Sequence, residues 1–300
     1  MKKFFLGLLK ALGYFAIYFG MQLLVSFVYT TAGVIRTAIR YTEGGTNLLD
    51  PVVFQQYMDE ALQVVSASAM PTVIISGVLT IGVLWLIFVC RKKKITKELC
   101  LRKFHPGAVV PIVLMGLGFN VVTGLVLSFV PEKWMSAYEA SSSLIMTDNM
   151  VLLILGTVLM APLVEEIIFR GLLYTRMKKG MPAAAAMVLS SAVFGVAHGQ
   201  WVWMIYAFVF GMVLVWTFER TKSLLANILL HLSYNACAVL QLLIPEDAPD
   251  WVAAAVVFGS VAAAVLGVFW FLKIPKGEEP AELKEAEAAG ETAEEVKEFL

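Results

Sequence analysis

Long apolar runs broken by short polar stretches set the pattern of this 300-residue chain. A bilayer hydrocarbon core about 30 Å thick takes roughly 20 mostly apolar residues to cross as a helix. By that measure eight runs qualify, centred on residues 11–33, 62–90, 107–130, 150–172, 182–200, 201–218, 224–244 and 251–273. Only Gly199 and Gln200 separate the fifth from the sixth. The pattern predicts an all-α, polytopic membrane bundle of about eight transmembrane helices. Between the first two runs, residues 36–60 read as the longest extracellular loop, with turns at Gly44-Gly45 and Asp50-Pro51.

The connecting segments orient this bundle. With the N-terminus inside, the inner face collects Lys2, Lys3, Lys10, the run from Arg91 to Lys94, Arg176, Lys178, Lys179, Arg220, Lys222 and Lys273, whereas the outer face carries only Arg36, Arg40 and Lys133. Cationic side chains concentrate on the cytoplasmic side of membrane proteins, so both termini are expected in the cytoplasm, in the manner of a bacterial plasma-membrane protein. The first run begins like a signal peptide, behind Met1-Lys2-Lys3, but it is too long and has no small-x-small site before Arg36; it reads as an uncleaved span.

Composition agrees: 59% of residues are hydrophobic, 15% are charged and mean hydropathy is +0.79, outside the range of a domain with a watery surface. The zero formal net charge hides a split. Residues 277–300 hold nine Glu against Lys284 and Lys297, a segment charge of −7, so the body carries +7. That tail has too little apolar surface to fold alone, apart from a short solvated helix over 281–289. Cys90, Cys100 and Cys237 are odd in number and lack C-x-x-C spacing, so neither a disulfide framework nor a zinc knuckle is indicated. A nucleic-acid partner is not expected; the bilayer itself is the surrounding medium.

Ionisable groups at bilayer depth are costly and demand an account. In the fourth run, Ala161-Pro162-Leu163-Val164-Glu165-Glu166-Ile167-Ile168-Phe169-Arg170 sets two adjacent carboxylates before an arginine. Glu166 and Arg170, four apart, share a helix face and can pair, while Glu165 points about 100° away, free for another partner. In the fifth run Phe194 stands one turn before His198, and in the seventh His231 and Asn235 share a face at four-residue spacing. His105, the remaining histidine, falls in a cytoplasmic loop. Taken singly, a buried His or Asn in a membrane helix is more often a packing residue, and paired glutamates near a helix end are often solvated by the interface.

The order Glu-Glu-x-x-x-Arg, Phe-x-x-x-His, His-x-x-x-Asn, each in its own apolar run, resembles the CPBP family, the CAAX-protease and bacteriocin-processing intramembrane endopeptidases also called Abi. The resemblance covers about residues 150–245. It divides the chain into N-terminal helices over 1–149, a catalytic core over 150–245, a last span over 246–275 and an acidic cytoplasmic tail over 276–300. It implies that Glu165 and His198 activate a water, that His231 and Asn235 donate to the oxyanion, that Glu166 and Arg170 hold the first motif, and that Phe194 packs beside the site. The substrate implied is a membrane-associated or lipidated peptide or protein.

The chemistry of these residue types is compatible. No serine or cysteine stands a helical turn from either histidine, although Ser233 lies two residues from His231, which favours attack by water over a covalent route. Glu165, His198 and His231 form an alternative zinc ligand set, but Asn235 is a poor zinc ligand and no His-Glu-x-x-His helix is present, so a metal-free reaction needing no cofactor is expected. Two other classes remain open: a proton-coupled transporter or relay, which the lack of an internal repeat disfavours, and a catalytically silent scaffold or immunity protein. One geometric condition attaches to the enzyme reading. Counted along straight runs, His198 lies about 24 Å from the cytoplasmic side and Glu165 about 15 Å, so the fifth helix must tilt or start lower.

Overall fold

The computed structural model describes residues 2–245 and 247–278, and every regular element among them is helical. The expected tail, including the short helix over 281–289, lies outside the described residues. Among the described residues, seven helices are long and apolar enough to cross a membrane. The fifth expected crossing is a shorter apolar helix of 14 residues, Ala183–Val196, about 21 Å at an α-helical rise and so less than a full bilayer core.

The first helix, α1, runs over Lys2–Glu43, turns at 44–50, and is answered by α2 (Pro51–Ala67) and α3 (Ala69–Cys90). The region read as a long outer loop is therefore a helical hairpin. Its polarity concealed the helices, but local chemistry accounts for them: the Asp50 carboxylate accepts from the backbone N–H of Val52 at the start of α2, and Pro51 fits the first helical position. Across the hairpin Glu60 accepts from Arg40 and from Tyr41 Oη (3.1 Å), and Tyr41 packs edge-on to Tyr57. Ser68, which breaks α2 from α3, pairs through its hydroxyl with Thr30 of α1 at 3.0 Å.

After a short turn of helix, α4 (Ile95–Glu98), and a 3-10 turn whose first N–H is capped by the His105 ring, α5 (Val109–Leu127) forms the spine of the second half. It packs directly on α10 (Leu224–Gln241) and α11 (Asp250–Lys273). Glycines permit the approach: a Cβ on Gly116 would lie 2.5 Å from Ser233 Cβ, and one on Gly118 2.5 Å from the Ser260 carbonyl oxygen. An amphipathic helix, α6 (Glu132–Ser143), caps the N-terminal end of α9 (Trp201–Thr221), with Trp134 edge-on to Trp201 and Tyr138 to Trp203. Such aromatic pairs suit the membrane–water boundary.

The element that carries the glutamates, α7 (Met150–Lys178), is not a uniform α-helix. A six-residue α segment, Ala161–Glu166, sits between two π-helical stretches, Ile154–Met160 and Ile167–Tyr174. Pro162 explains the first: it has no N–H to offer Val158 and its ring would crowd that carbonyl, so the turn before it widens. In the second, the Thr175 hydroxyl claims the Gly171 carbonyl at 2.6 Å, competing with the regular ladder. Wide turns of this kind concentrate at functional sites. The 14-residue helix, α8, follows Pro182 and pairs tightly with α9.

Contacts bring α8 to the glutamate-bearing helix: Phe194 of α8 packs edge-on against Phe169 of α7 at 5.0 Å.

Candidate active site

The centre of the site is a fully buried carboxylate. Glu166 has no solvent exposure, and its Oε1 accepts from Arg170 Nη1 at 2.8 Å and lies 2.8 Å from His231 Nδ1. Its Oε2 accepts from Asn227 Nδ2 at 3.2 Å. Arg170, 1% exposed, donates with its other arm to the Gly211 carbonyl at 3.2 Å and stacks its guanidinium over Phe194, 4.3 Å from the ring centroid. The i, i+4 pair expected within α7 thus exists, and it links three further helices: α8 through Phe194, α9 through Gly211, and α10 through Asn227 and His231. A buried ion pair gains most when its remaining donors and acceptors are engaged, as here.

Glu165 points elsewhere, as the 100° turn between neighbours requires. Its side chain keeps 16% exposure, and one carboxylate oxygen lies 3.7 Å from His231 Nε2, beyond direct hydrogen-bond range. The two ring nitrogens of His231 therefore face the two glutamates, Nδ1 to Glu166 and Nε2 to Glu165. The imidazole is clamped further by Phe210 (5.3 Å) and Phe194 (6.0 Å), both edge-to-face.

His198 sits just past the end of α8. Its Nδ1 is 2.8 Å from the Phe194 carbonyl one turn back, and because a carbonyl only accepts, that nitrogen carries the proton. In the neutral ring the other nitrogen, Nε2, is then a lone pair. Its ring packs 4.8 Å from Phe194, the same ring that touches His231 and Arg170. Phe194 is thus the hub joining the second and third motifs, and it rests edge-on against Phe169 of α7 at 5.0 Å. Asn235, a turn beyond His231, reaches back to the first π-helical stretch of α7, donating from Nδ2 to the Thr157 carbonyl at 2.8 Å.

Of the residues singled out in the sequence, Glu165, Glu166, Arg170, Phe194, His198 and His231 fall into one contiguous cluster, and Asn235 borders it. Among the described residues no three His, Cys, Asp or Glu side chains, Glu165, His198 and His231 included, are grouped as metal ligands in this structure. Sequence reasoning missed Asn227 and Gly211. Asn227 stands four residues before His231, repeating the spacing of His231 to Asn235, and an amide in that apolar stretch was the available signal. Gly211 had none; it supplies a backbone carbonyl.

Comparison with known proteins bears on this same segment. Residues 147–237 match the family model of "Type II CAAX prenyl endopeptidase Rce1-like" proteins. The chain is similar to a Bacillus subtilis (strain 168) protein named "Putative membrane peptidase YdiL", 28% identical over 94 residues, a stretch covering 31% of this chain and 38% of that protein. No solved structure matches this chain.

Proposed function

We propose, from the premise that residues 147–237 carry the core of the CAAX-protease (CPBP) family, that this chain is an intramembrane endopeptidase cleaving a membrane-associated or lipidated peptide with an activated water. The observation that carries the reading is the placement of His231 between two carboxylates, 2.8 Å from Glu166 and 3.7 Å from Glu165. Glu166 accepts at Nδ1, so the ring is held with Nε2 towards Glu165 and the site, and the reaction uses that nitrogen as an N–H donor.

The other roles follow. Glu165, the one carboxylate with residual exposure, and His198, whose Nε2 lone pair is left free by its bond to the Phe194 carbonyl, take the protons of the attacking water and hand one to the leaving amine. His231 Nε2–H and the second amide hydrogen of Asn235 receive the oxyanion that forms as the scissile carbonyl becomes tetrahedral. Glu166 and Arg170 hold His231 in place without touching the substrate. The loop charges support placing the protein in a bacterial plasma membrane with both termini cytoplasmic.

The test is a variant panel in proteoliposomes with a lipidated or membrane-inserted peptide. Loss of His198 or His231 should each lower kcat by about 10²–10³-fold, the scale of a removed base or oxyanion donor. Full cleavage by both His198→Ala and His231→Ala would end the proposal. Proton flux through the wild type with no cleavage would favour a relay instead.

A further inference from the structure

Asn227 is a polar side chain of the cluster that this reaction scheme does not use. It is fully buried on α10, one turn before His231. Its Nδ2 donates both to Glu166 Oε2 at 3.2 Å and to the Leu214 carbonyl at 2.8 Å. Both partners are acceptors, so the amide can present only its nitrogen to them, and its Oδ1 is left buried with no hydrogen-bond partner. An unpaired buried acceptor is destabilising, so what holds an amide at this position is its donor, which supplies Glu166 Oε2 and the Leu214 carbonyl.

We propose that Asn227 is a positioning residue for His231, acting through Glu166. An arginine guanidinium matches a carboxylate best as a fork, two parallel N–H donors on two oxygens. In this structure Arg170 uses only Nη1 on Glu166 Oε1, and Nη2 goes to Gly211. The Asn227 amide occupies Oε2 and so blocks rotation of the carboxylate into the two-oxygen arrangement. Oε1 is thereby held at His231 Nδ1, and the ring is held with Nε2 towards Glu165. Without the amide, the carboxylate turns to Arg170 and releases the imidazole.

The kinetic consequence rests on the endopeptidase reading; the orientation of His231 does not. The experiment therefore has two arms, applied to wild type, Asn227→Leu and the smaller Asn227→Ala. In the first, protein labelled with nitrogen-15 at its three histidines is observed by NMR in detergent, with His231 assigned by loss of its signal in His231→Gln. The wild-type ring should show a slowly exchanging Nδ1–H, and both Asn227 variants should lose that protection while still unfolding in a cooperative thermal transition. In the second arm, cleavage should lose between about 10- and 100-fold in kcat at an unchanged KM, the scale of a slightly misplaced group. An unchanged His231 signal in either folded variant overturns the proposal, whatever the cleavage result. If wild type shows the protected proton but cleaves nothing, the positioning stands and the endopeptidase reading falls. If Asn227→Leu does not fold, Asn227→Ala decides alone; failure of both to fold shows a structural role and overturns it too.

Discussion

Gly195 is where the α8–α9 hairpin closes on the site. A Cβ built there lies 2.6 Å from the Met204 carbonyl oxygen, 3.2 Å from Phe208 Cβ and 3.3 Å from Phe208 N. Two of those three atoms are backbone and cannot swing aside. Since ordinary contacts begin near 3.4 Å, Gly195→Ala must part the helices by about 0.8 Å in an interior that has little free space. The displaced segment carries Phe194, the hub between Arg170 and both histidines, and His198 three residues on. Overpacking of this kind costs about 1–3 kcal/mol of stability, and a shift approaching 1 Å at a reacting group costs up to roughly 10²-fold in rate. Thermal unfolding in detergent and peptide cleavage in proteoliposomes should show both effects. Gly82→Ala is the control, because nothing lies within 4 Å of its added carbon; helix propensity alone makes it neutral or stabilising by up to about 1 kcal/mol. Gly195→Ala with wild-type melting and a rate within about twofold of wild type would refute the claim that the close approach of α8 and α9 sets the position of His198.

Further outcomes follow from the same contacts. Arg170→Met leaves Glu166 buried with one charge uncompensated and should cost about 3–5 kcal/mol by denaturant unfolding, and Arg170→Lys should not restore activity, because one ammonium cannot bond both Glu166 and the Gly211 carbonyl while stacking on Phe194. Outside the spanning helices, burial pushes the Glu98 carboxyl up, but the Lys93 hydrogen bond and the charges of Arg176, Lys93 and Lys179 outweigh it and hold the group below its ordinary 4.5. A depressed carboxylate stabilises the fold above its unfolded value and loses that contribution as pH falls through the folded one, so the melting temperature of wild type should fall more steeply below about pH 4.5 than that of Glu98→Gln; equal slopes would contradict this. Cleavage should survive a strong chelator, whereas abolition by chelator with recovery on added zinc would show that a metal takes part.

Much of this architecture is legible in the chain, and the parts that are not have physical reasons. Apolar run length locates the spanning helices because the bilayer imposes a fixed length. It fails for α8, since an apolar run reports lipid compatibility, not how far the helix continues: Gly199, at a φ of +76°, ends the run early. It fails in the opposite sense at 36–60, where the helices α1 and α2 project with polar residues and are held by Glu60 contacts made twenty positions away from Arg40. The motif spacings place Glu166 on Arg170 and His198 beside Phe194, because those contacts lie within one helix. The joining of Glu166 to Asn227 and His231 is a contact over more than sixty residues, and the widened turns of α7 leave only Pro162 and Thr175 as traces in sequence.

The most direct measurement is single-turnover cleavage of a membrane-bound peptide by the purified protein in lipid vesicles, with wild type set against Glu165→Gln at equal amounts of folded protein. If water is activated at the cluster between α7, α8 and α10, wild type cuts the peptide and Glu165→Gln, which keeps the shape and removes the base, is slower by about 10³-fold or more. Cleavage by Glu165→Gln at the wild-type rate would mean that the chemistry happens elsewhere.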